Sequence, residues 1–220
     1  DYVFPSTACL IQTMIGANKA ASMDIQAACS GYIYGLTTAK AFIESGLYKN
    51  VLLIASEKLS SIVDYTDRNT CILFGDGAAA CVVSGQGAGF FIEGTTLSSD
   101  GKEAEMLYMP SGGSRSPATA ETVGNKDHCI KMKGKELFKH AVRSMEDAVK
   151  RSLDQLGLTE EAISYLVPHQ ANIRIIESVA KRFKIDADQV YLTIHKYGNT
   201  SASSVGIALD ELQRTKPLKD

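Results

Sequence analysis

The stretch Asn50 to Ser56 (NVLLIAS) constrains the fold more than any other segment of this 220-residue chain. It is a near-continuous apolar run of strand length, the pattern of a buried strand and most often a parallel one. The preceding residues, Ser30 to Ser45, carry Ile33, Leu36, Ala39, Phe42 and Ile43 at helical spacing, with Gly46 placed to end the helix. Ser22 to Ala28 reads as a short strand before them. Strand, helix and strand over this length form a βαβ unit.

The rest of the chain repeats the plan. A helix precedes the unit, beginning near Thr7 and ending by Ala17 to Ala21. Ala78 to Ser84 and Phe90 to Thr95 read as two strands around the turn GQGAG at Gly85 to Gly89. That glycine run leads to a strand and not a helix, so it is no dinucleotide loop. Ser98 to Asp127 is rich in Gly, Ser, Pro and charge and reads as a surface excursion dividing two halves, mobile around Ser111 to Ser114. Beyond it come a long helix from Phe138 to Leu156 closed by Gly157, a strand Tyr165 to Val167, and an amphipathic helix on Ile173, Ile176, Val179, Ala180 and Phe183. A strand Val190 to Ile194 and a helix Ser201 to Gln213 complete the order. Alternating strands and helices imply an α/β fold with helix-covered sheets, split into residues 1–100 and 101–220.

Three polar side chains fall where such folds build sites. Cys29, His169 and Asn199 each lie between a strand and the start of the next helix, and α/β ligands bind beyond the carboxyl ends of strands. An ordinary thiol is mostly protonated at neutral pH, with a pKa near ~8.5. A helix N-terminus should make Cys29 more acidic. Its neighbours Ala27, Ala28, Ser30 and Gly31 leave room for an acyl group and let its backbone N–H approach an oxyanion. His169 at a helix start should stay neutral and donate one hydrogen bond, and the Asn199 amide donates without titrating. Two neutral donors on one oxygen would stabilise an enolate. Each residue also has a plainer reading. A lone buried cysteine is usually core filler, a histidine after a strand is more often structural, and Asn199 before Thr200 and Ser201 could be merely a helix N-cap.

Composition excludes several classes. The formal net charge is -2, against the basic face that nucleic-acid binding needs. No apolar run approaches the ~20 residues of a membrane span, and no signal peptide is visible. The five cysteines are odd in number and never read C-x-x-C, which points to reduced thiols in a cytosolic setting. His128, His140, His169 and His195 are scattered, so no metal centre is expected. A papain-like protease also uses Cys, His and Asn, but its Cys context is missing and the chain has no Trp.

The wording around these residues completes the reading. AACSG (Ala27–Gly31), VPHQANIRI (Val167–Ile175), HKYGNTSASS (His195–Ser204), DRNT (Asp67–Thr70) and FGDGAAA (Phe74–Ala80) together resemble the signature segments of the 3-oxoacyl-[acyl-carrier-protein] synthase III family. The resemblance covers the whole chain except Glu103–Asp127, which looks longer and more divergent. It implies a thiolase-like αβαβα layered fold built from two related halves, and a homodimer. It implies a Cys29–His169–Asn199 triad that loads an acyl group from acyl-coenzyme A onto Cys29. Condensation with malonyl-acyl carrier protein then yields 3-oxoacyl-acyl carrier protein, without metal or bound organic cofactor. Gln170, Ala171, Asn172, Ile173 and Arg174 resemble a carrier-protein-binding segment, extended by Lys181 and Arg182. Arg68 matches a residue of the coenzyme A adenine pocket; its alternative is a salt bridge with Asp64 or Asp67. Phe4 matches an aromatic that crosses the dimer interface to shape the partner's acyl pocket; its alternative is core packing. The family's location implies the cytoplasm, or the plastid stroma in a eukaryote. The family also carries an N-terminal segment and a C-terminal glycine-rich strand with no counterpart here, so the resemblance implies a piece of a longer polypeptide ending at Lys216–Asp220. Related condensing enzymes remain rivals: elongating synthases place a second His at the Asn199 position, whereas plant-type polyketide synthases share all three residue types. A scaffold without catalysis is the reading from another class.

Overall fold

The structure is a computed structural model that describes residues 2–216; the end of the chain at 217–220 lies outside it. Helix α1 (Thr7–Met14) opens the order and α2 (Gly31–Glu44) follows. Strand β1 (Asn50–Glu57) and strand β2 (Gly77–Ser84) come next. The excursion holds β3 (Leu107–Tyr108) and α3 (Ala120–Gly124), and β4 (Lys131–Met132) leads into the long helix α4 (Gly134–Leu156). Helices α5 (Ile173–Arg182), α6 (Ile194–Tyr197) and α7 (Ser203–Thr215) complete the chain.

Strands β1 and β2 pair antiparallel, from Asn50 opposite Ser84 to Glu57 opposite Gly77. This corrects the parallel pairing read from the apolar run. Composition records burial but not chain direction, and here the 58–76 connection returns the chain alongside β1. The pleat then gives the two faces different fates. Leu53, Ala55 and Cys81 face the helices, whereas Leu52 and Val82 on the other face remain 47% and 66% exposed. Four predicted strand segments form no ladder. Ser22–Ala28 and Phe90–Thr95 are irregular, and the glycine run before Phe90 makes bends with no hairpin. Leu166 and Val190 meet only as an isolated parallel bridge. A strand exists only where a second backbone lies beside it, a property its own residues do not encode.

The excursion is also tied down more firmly than its composition predicts. β3 pairs β4 antiparallel, the Ile130 N–H donates to Ile62 O at 2.8 Å, and Lys126 Nζ reaches Asp64 at 2.8 Å. Ser111 is buried, with its hydroxyl donating to Ser116 O at 2.9 Å.

Two apolar cores organise the rest. Tyr32 of α2, Ala55 of β1 and Ala202 and Val205 at the start of α7 form the first, with Leu36, Leu53, Cys81 and Leu209 packed against it. It joins residues from both predicted halves. The second gathers Val179, Ala180, Phe183 and Ile185 around α5, with Met145 and Val149 of α4 against them. The period of α5 explains its share: Ile175, Ile176, Val179 and Ala180 lie on one buried face. Asn172 caps this helix, accepting from the Arg174 N–H at 2.9 Å. Burying an aliphatic side chain as completely as Ile176 contributes about 1.5–3 kcal/mol.

Candidate active site

Cys29 sits in the short 3-10 turn Ala28–Ser30 that leads directly into α2. Two features fix that turn. Asp24 on the approaching segment caps α1, accepting from the Thr7 and Ala8 N–H groups at 2.8 Å each. Ala28 then takes a left-handed conformation with φ 45°, costly for a residue with a Cβ. The chain reverses there and presents the thiol.

Asn199 is held by the 73–75 segment, with which it forms a parallel bridge at Phe74. Its N–H donates to Leu73 O at 2.8 Å, and its carbonyl accepts from the Gly75 N–H at 2.9 Å. This clamp needs a glycine at 75, because a Cβ there would fall far inside 3.0 Å of the Tyr197 carbonyl oxygen. Gly206 has the same function one helix turn into α7. A Cβ there would lie 2.6 Å from Ala79 Cβ and 2.8 Å from the Tyr32 ring, so only glycine lets α7 settle onto β2 and α2. Asn199 Oδ1 accepts from the Ser201 N–H at 2.9 Å. Its carbonyl end is therefore occupied, and its NH2 group is the end left to face a substrate. Ser201 follows in a second left-handed conformation, φ 53°.

The segment 199–204 brings the three candidates together. The Ser201 hydroxyl donates to Cys29 Sγ at 3.5 Å. Ser204 Oγ lies 2.8 Å from His169 Nδ1 and donates to Ser201 O at 2.7 Å. Cys29 and His169 thus meet the segment that Asn199 begins, one through Ser201 and the other through Ser204. His169 Nδ1 is engaged, so Nε2 is the nitrogen available to a substrate.

Electrostatics revises two expectations. Burial pushes the Cys29 thiol up; the Ser201 hydrogen bond pulls it back, the Glu57 carboxylate adds to the rise, and the Cys29 N–H opposes it. The net shift is upward, so the helix start does not leave a resting thiolate. Glu57 stands there because it caps α7, accepting from the Ser203 N–H at 3.1 Å. For His169, burial lowers the pKa to about 4, partly opposed by the Ser201 carbonyl. The ring is neutral at pH 7 as expected, but burial and not a helix terminus is the cause.

Residues 23–101 match the family described as 3-oxoacyl-[acyl-carrier-protein (ACP)] synthase III, and residues 153–220 match its C-terminal family. A solved 3-oxoacyl-(acyl carrier protein) synthase III from Pseudomonas aeruginosa PAO1 is 34% identical, with a TM-score of 0.86, over 100% of this chain and 67% of its own. This chain belongs to the synthase III family. The beta-ketoacyl-[acyl-carrier-protein] synthase III of Chlamydia pneumoniae is 57% identical over 220 residues, which are 100% of this chain and 66% of that protein. The solved enzyme from Aquifex aeolicus VF5 is 44% identical, with a TM-score of 0.87, over 99% of this chain and 66% of its own. The chain therefore spans about two thirds of these synthase III relatives. The shared architecture is the thiolase-like α/β fold that the sequence implies.

The remaining candidates separate in space. Gln170 is fully buried. Its Nε2 donates to Pro168 O at 2.9 Å and Tyr191 O at 3.2 Å, while its Oε1 accepts from the Thr193 and Ile194 N–H groups at 2.9 and 3.1 Å. A carrier-protein contact by that side chain is corrected: every polar position is spent inside, holding the His169 loop against the start of α6. Asn172 is spent capping α5, whereas Ile173 and Arg174 are exposed and Ala171 is half-buried. Lys181 and Arg182 are exposed on the last turn of α5, with Arg182 stacked 5.6 Å from the Phe183 ring. Arg68 is exposed and forms neither proposed salt bridge, since Asp64 pairs with Lys126 and Asp67 bonds Asn69. Phe4 is 88% exposed, which removes core packing as its role within this chain. Ser201, Ser204 and Glu57 were not singled out from the sequence. The serines had one visible signal, their i, i+3 spacing at a helix start. Among the described residues no group of three or more His, Cys, Asp or Glu is placed to hold a metal ion, and no helix is long and apolar enough to cross a membrane.

Proposed function

We propose that the protein carrying this chain starts fatty acid synthesis by a two-stage condensation on Cys29. The observation that carries the reading is the convergence of Cys29, His169 and Asn199 on the 199–204 segment. In the first stage His169 Nε2 takes the Cys29 proton, which burial otherwise retains. The sulfur attacks the carbonyl of an acyl-coenzyme A, acetyl being the simplest, and the Cys29 N–H faces the developing oxyanion. The coenzyme A thiolate leaves and recovers the proton from His169. In the second stage malonyl-acyl carrier protein binds, its carboxylate leaves as carbon dioxide, and the thioester oxygen becomes an enolate. The Asn199 amide and His169 Nε2–H donate to that oxygen; losing one such donor typically costs about 3–4 kcal/mol in the transition state. The enolate carbon attacks the Cys29 thioester, releasing the thiolate and 3-oxoacyl-acyl carrier protein.

The same reading assigns the partners. Exposed Arg174 and Lys181 offer cations to the acidic carrier and its phosphopantetheine. Exposed Arg68 is available to coenzyme A, and Phe4 reaches from one protomer of a homodimer toward the acyl pocket of the other. Residues 1–100 supply the nucleophile and 101–220 the histidine and asparagine.

The test is the intact mass of the full-length protein with and without acetyl-coenzyme A, followed by peptide mapping and addition of malonyl-acyl carrier protein. One acetyl group on Cys29 that is consumed when the malonyl substrate arrives supports the reading. Acylation elsewhere, or equal acylation of a Cys29→Ala variant, overturns it.

A further inference from the structure

Ser204 lies on the first turn of α7 with its side chain buried, and three polar neighbours meet its single hydroxyl. His169 Nδ1 is 2.8 Å away, the Gln170 N–H donates to Oγ at 3.1 Å, and Ser201 O lies at 2.7 Å. A hydroxyl has one proton to give and two lone pairs to receive. The Gln170 amide can only donate and the Ser201 carbonyl can only accept, so the imidazole is the one neighbour free to do either.

Two arrangements satisfy this cluster. In one, the hydroxyl proton goes to Ser201 O. Nδ1–H then donates to Ser204 Oγ, and Nε2 is bare. In the other, the hydroxyl proton turns to Nδ1, and the ring proton sits on Nε2. Ser201 O is not abandoned in the second case, because the Ser204 N–H still donates to it at 3.3 Å. Neither arrangement strands a buried polar group, so neither carries the usual penalty.

We infer that Ser204 is a positioning residue whose hydroxyl proton sets which nitrogen of His169 is protonated, and thereby whether Nε2 accepts from Cys29 or donates to the enolate. The inference rests on the proposed condensation and adds a residue to it. The two stages make opposite demands on Nε2. Loading needs it bare: the S–H bond of Cys29 breaks as the Nε2–H bond forms, and the proton then passes to the departing coenzyme A sulfur, leaving Nε2 bare again. Enolate stabilisation needs Nε2–H. A neighbour able only to donate or only to accept would hold the ring in one tautomer. A serine hydroxyl, backed by an amide donor and a carbonyl acceptor, accommodates both. Gln170 contributes by fixing its own N–H in place, its side chain being held by four hydrogen bonds.

The experiment uses the full-length protein with 15N-labelled histidine. Ring 15N shifts and 15N–1H couplings identify the His169 tautomer, and a His169→Gln variant assigns the signals. Acetyl loading and malonyl decarboxylation are timed separately. Wild type should show both tautomers between pH 6 and 8. Ser204→Ala should change their ratio and slow both stages by about 10-fold or more, short of the ~100- to 10,000-fold that the acid–base group itself contributes, while Ser204→Thr, which keeps the hydroxyl, restores the wild-type ratio. One unvarying tautomer in wild type, or a Ser204→Ala variant with an unchanged ring pattern and both rates within twofold, overturns the inference. If no substrate loads at all, the condensation reading fails, and the ring signals of wild type and variant still decide the assignment of Ser204.

Discussion

Replacing Gly75 by Ala tests how the two halves of the site are held in register. The added Cβ would fall far inside 3.0 Å of the Tyr197 carbonyl oxygen, whereas ordinary contact begins near 3.4 Å. Backbone, and not a flexible side-chain end, must then give way. Forced overpacking typically costs 1–3 kcal/mol. The displaced pair also carries two hydrogen bonds, Gly75 N–H to Asn199 O at 2.9 Å and Asn199 N–H to Leu73 O at 2.8 Å, each worth about 1 kcal/mol. The expected loss is about 3–5 kcal/mol in urea unfolding of the full-length protein. Function should fall further in one stage than the other. A misplacement near 1 Å can cost ~100-fold in a positioned reaction, so condensation should fall by about that factor while acetyl loading on Cys29 falls less. Gly113→Ala is the control, since nothing lies within 4 Å of a Cβ there, and it should stay within about 0.5 kcal/mol. A Gly75→Ala protein with wild-type stability and an unchanged condensation rate would refute the clamp.

Three further outcomes follow from the geometry and the electrostatics. Burial holds His169 at about 4 when folded against 6.5 when free; the unfolded chain therefore binds the proton first, and stability should fall by about 3 kcal/mol as pH drops from 6.5 toward 4. Denaturant titrations at stepped pH check this, and His169→Gln should flatten that part of the curve. Glu57→Gln keeps the cap on the Ser203 N–H but removes the carboxylate that raises the Cys29 thiol, so iodoacetamide alkylation of Cys29 at fixed pH should quicken by a factor below about 10, the equivalent of one pKa unit. No acceleration would remove Glu57 from the electrostatics of the site. Ile176→Ala, at a side chain with 0% exposure, should cost about 2–5 kcal/mol in thermal or urea unfolding; a loss under 1 kcal/mol would mean the α5 core collapses around the gap.

Particular residues show what could be read in advance. The helices α2, α4, α5 and α7 were legible because their apolar positions repeat at 3.6 residues and each carries its own hydrogen-bonding ladder. Cys29, His169 and Asn199 were legible as chemistry because their residue types and local wording are local properties. Pairing was not. NVLLIAS looked parallel and is antiparallel, and Phe90–Thr95 looked like a strand and has no ladder, because a strand's partner lies elsewhere in the chain. Gln170 looked like a surface contact until its four internal hydrogen bonds placed it under the His169 loop.

By itself, then, the sequence determined the α/β character, the longer helices, the family and the three side chains at which chemistry is proposed, since these depend on periodicity and on short contiguous segments. Tertiary structure decided the rest. It turned the thiol upward by burial where the helix start had implied the reverse, and it lowered His169 by enclosing the ring. It also brought Ser201 to Cys29 and Ser204 to His169, partners 172 and 35 positions away in the chain. Desolvation and hydrogen-bond partnership are properties of whatever surrounds a group, and those surroundings exist only once distant segments have packed.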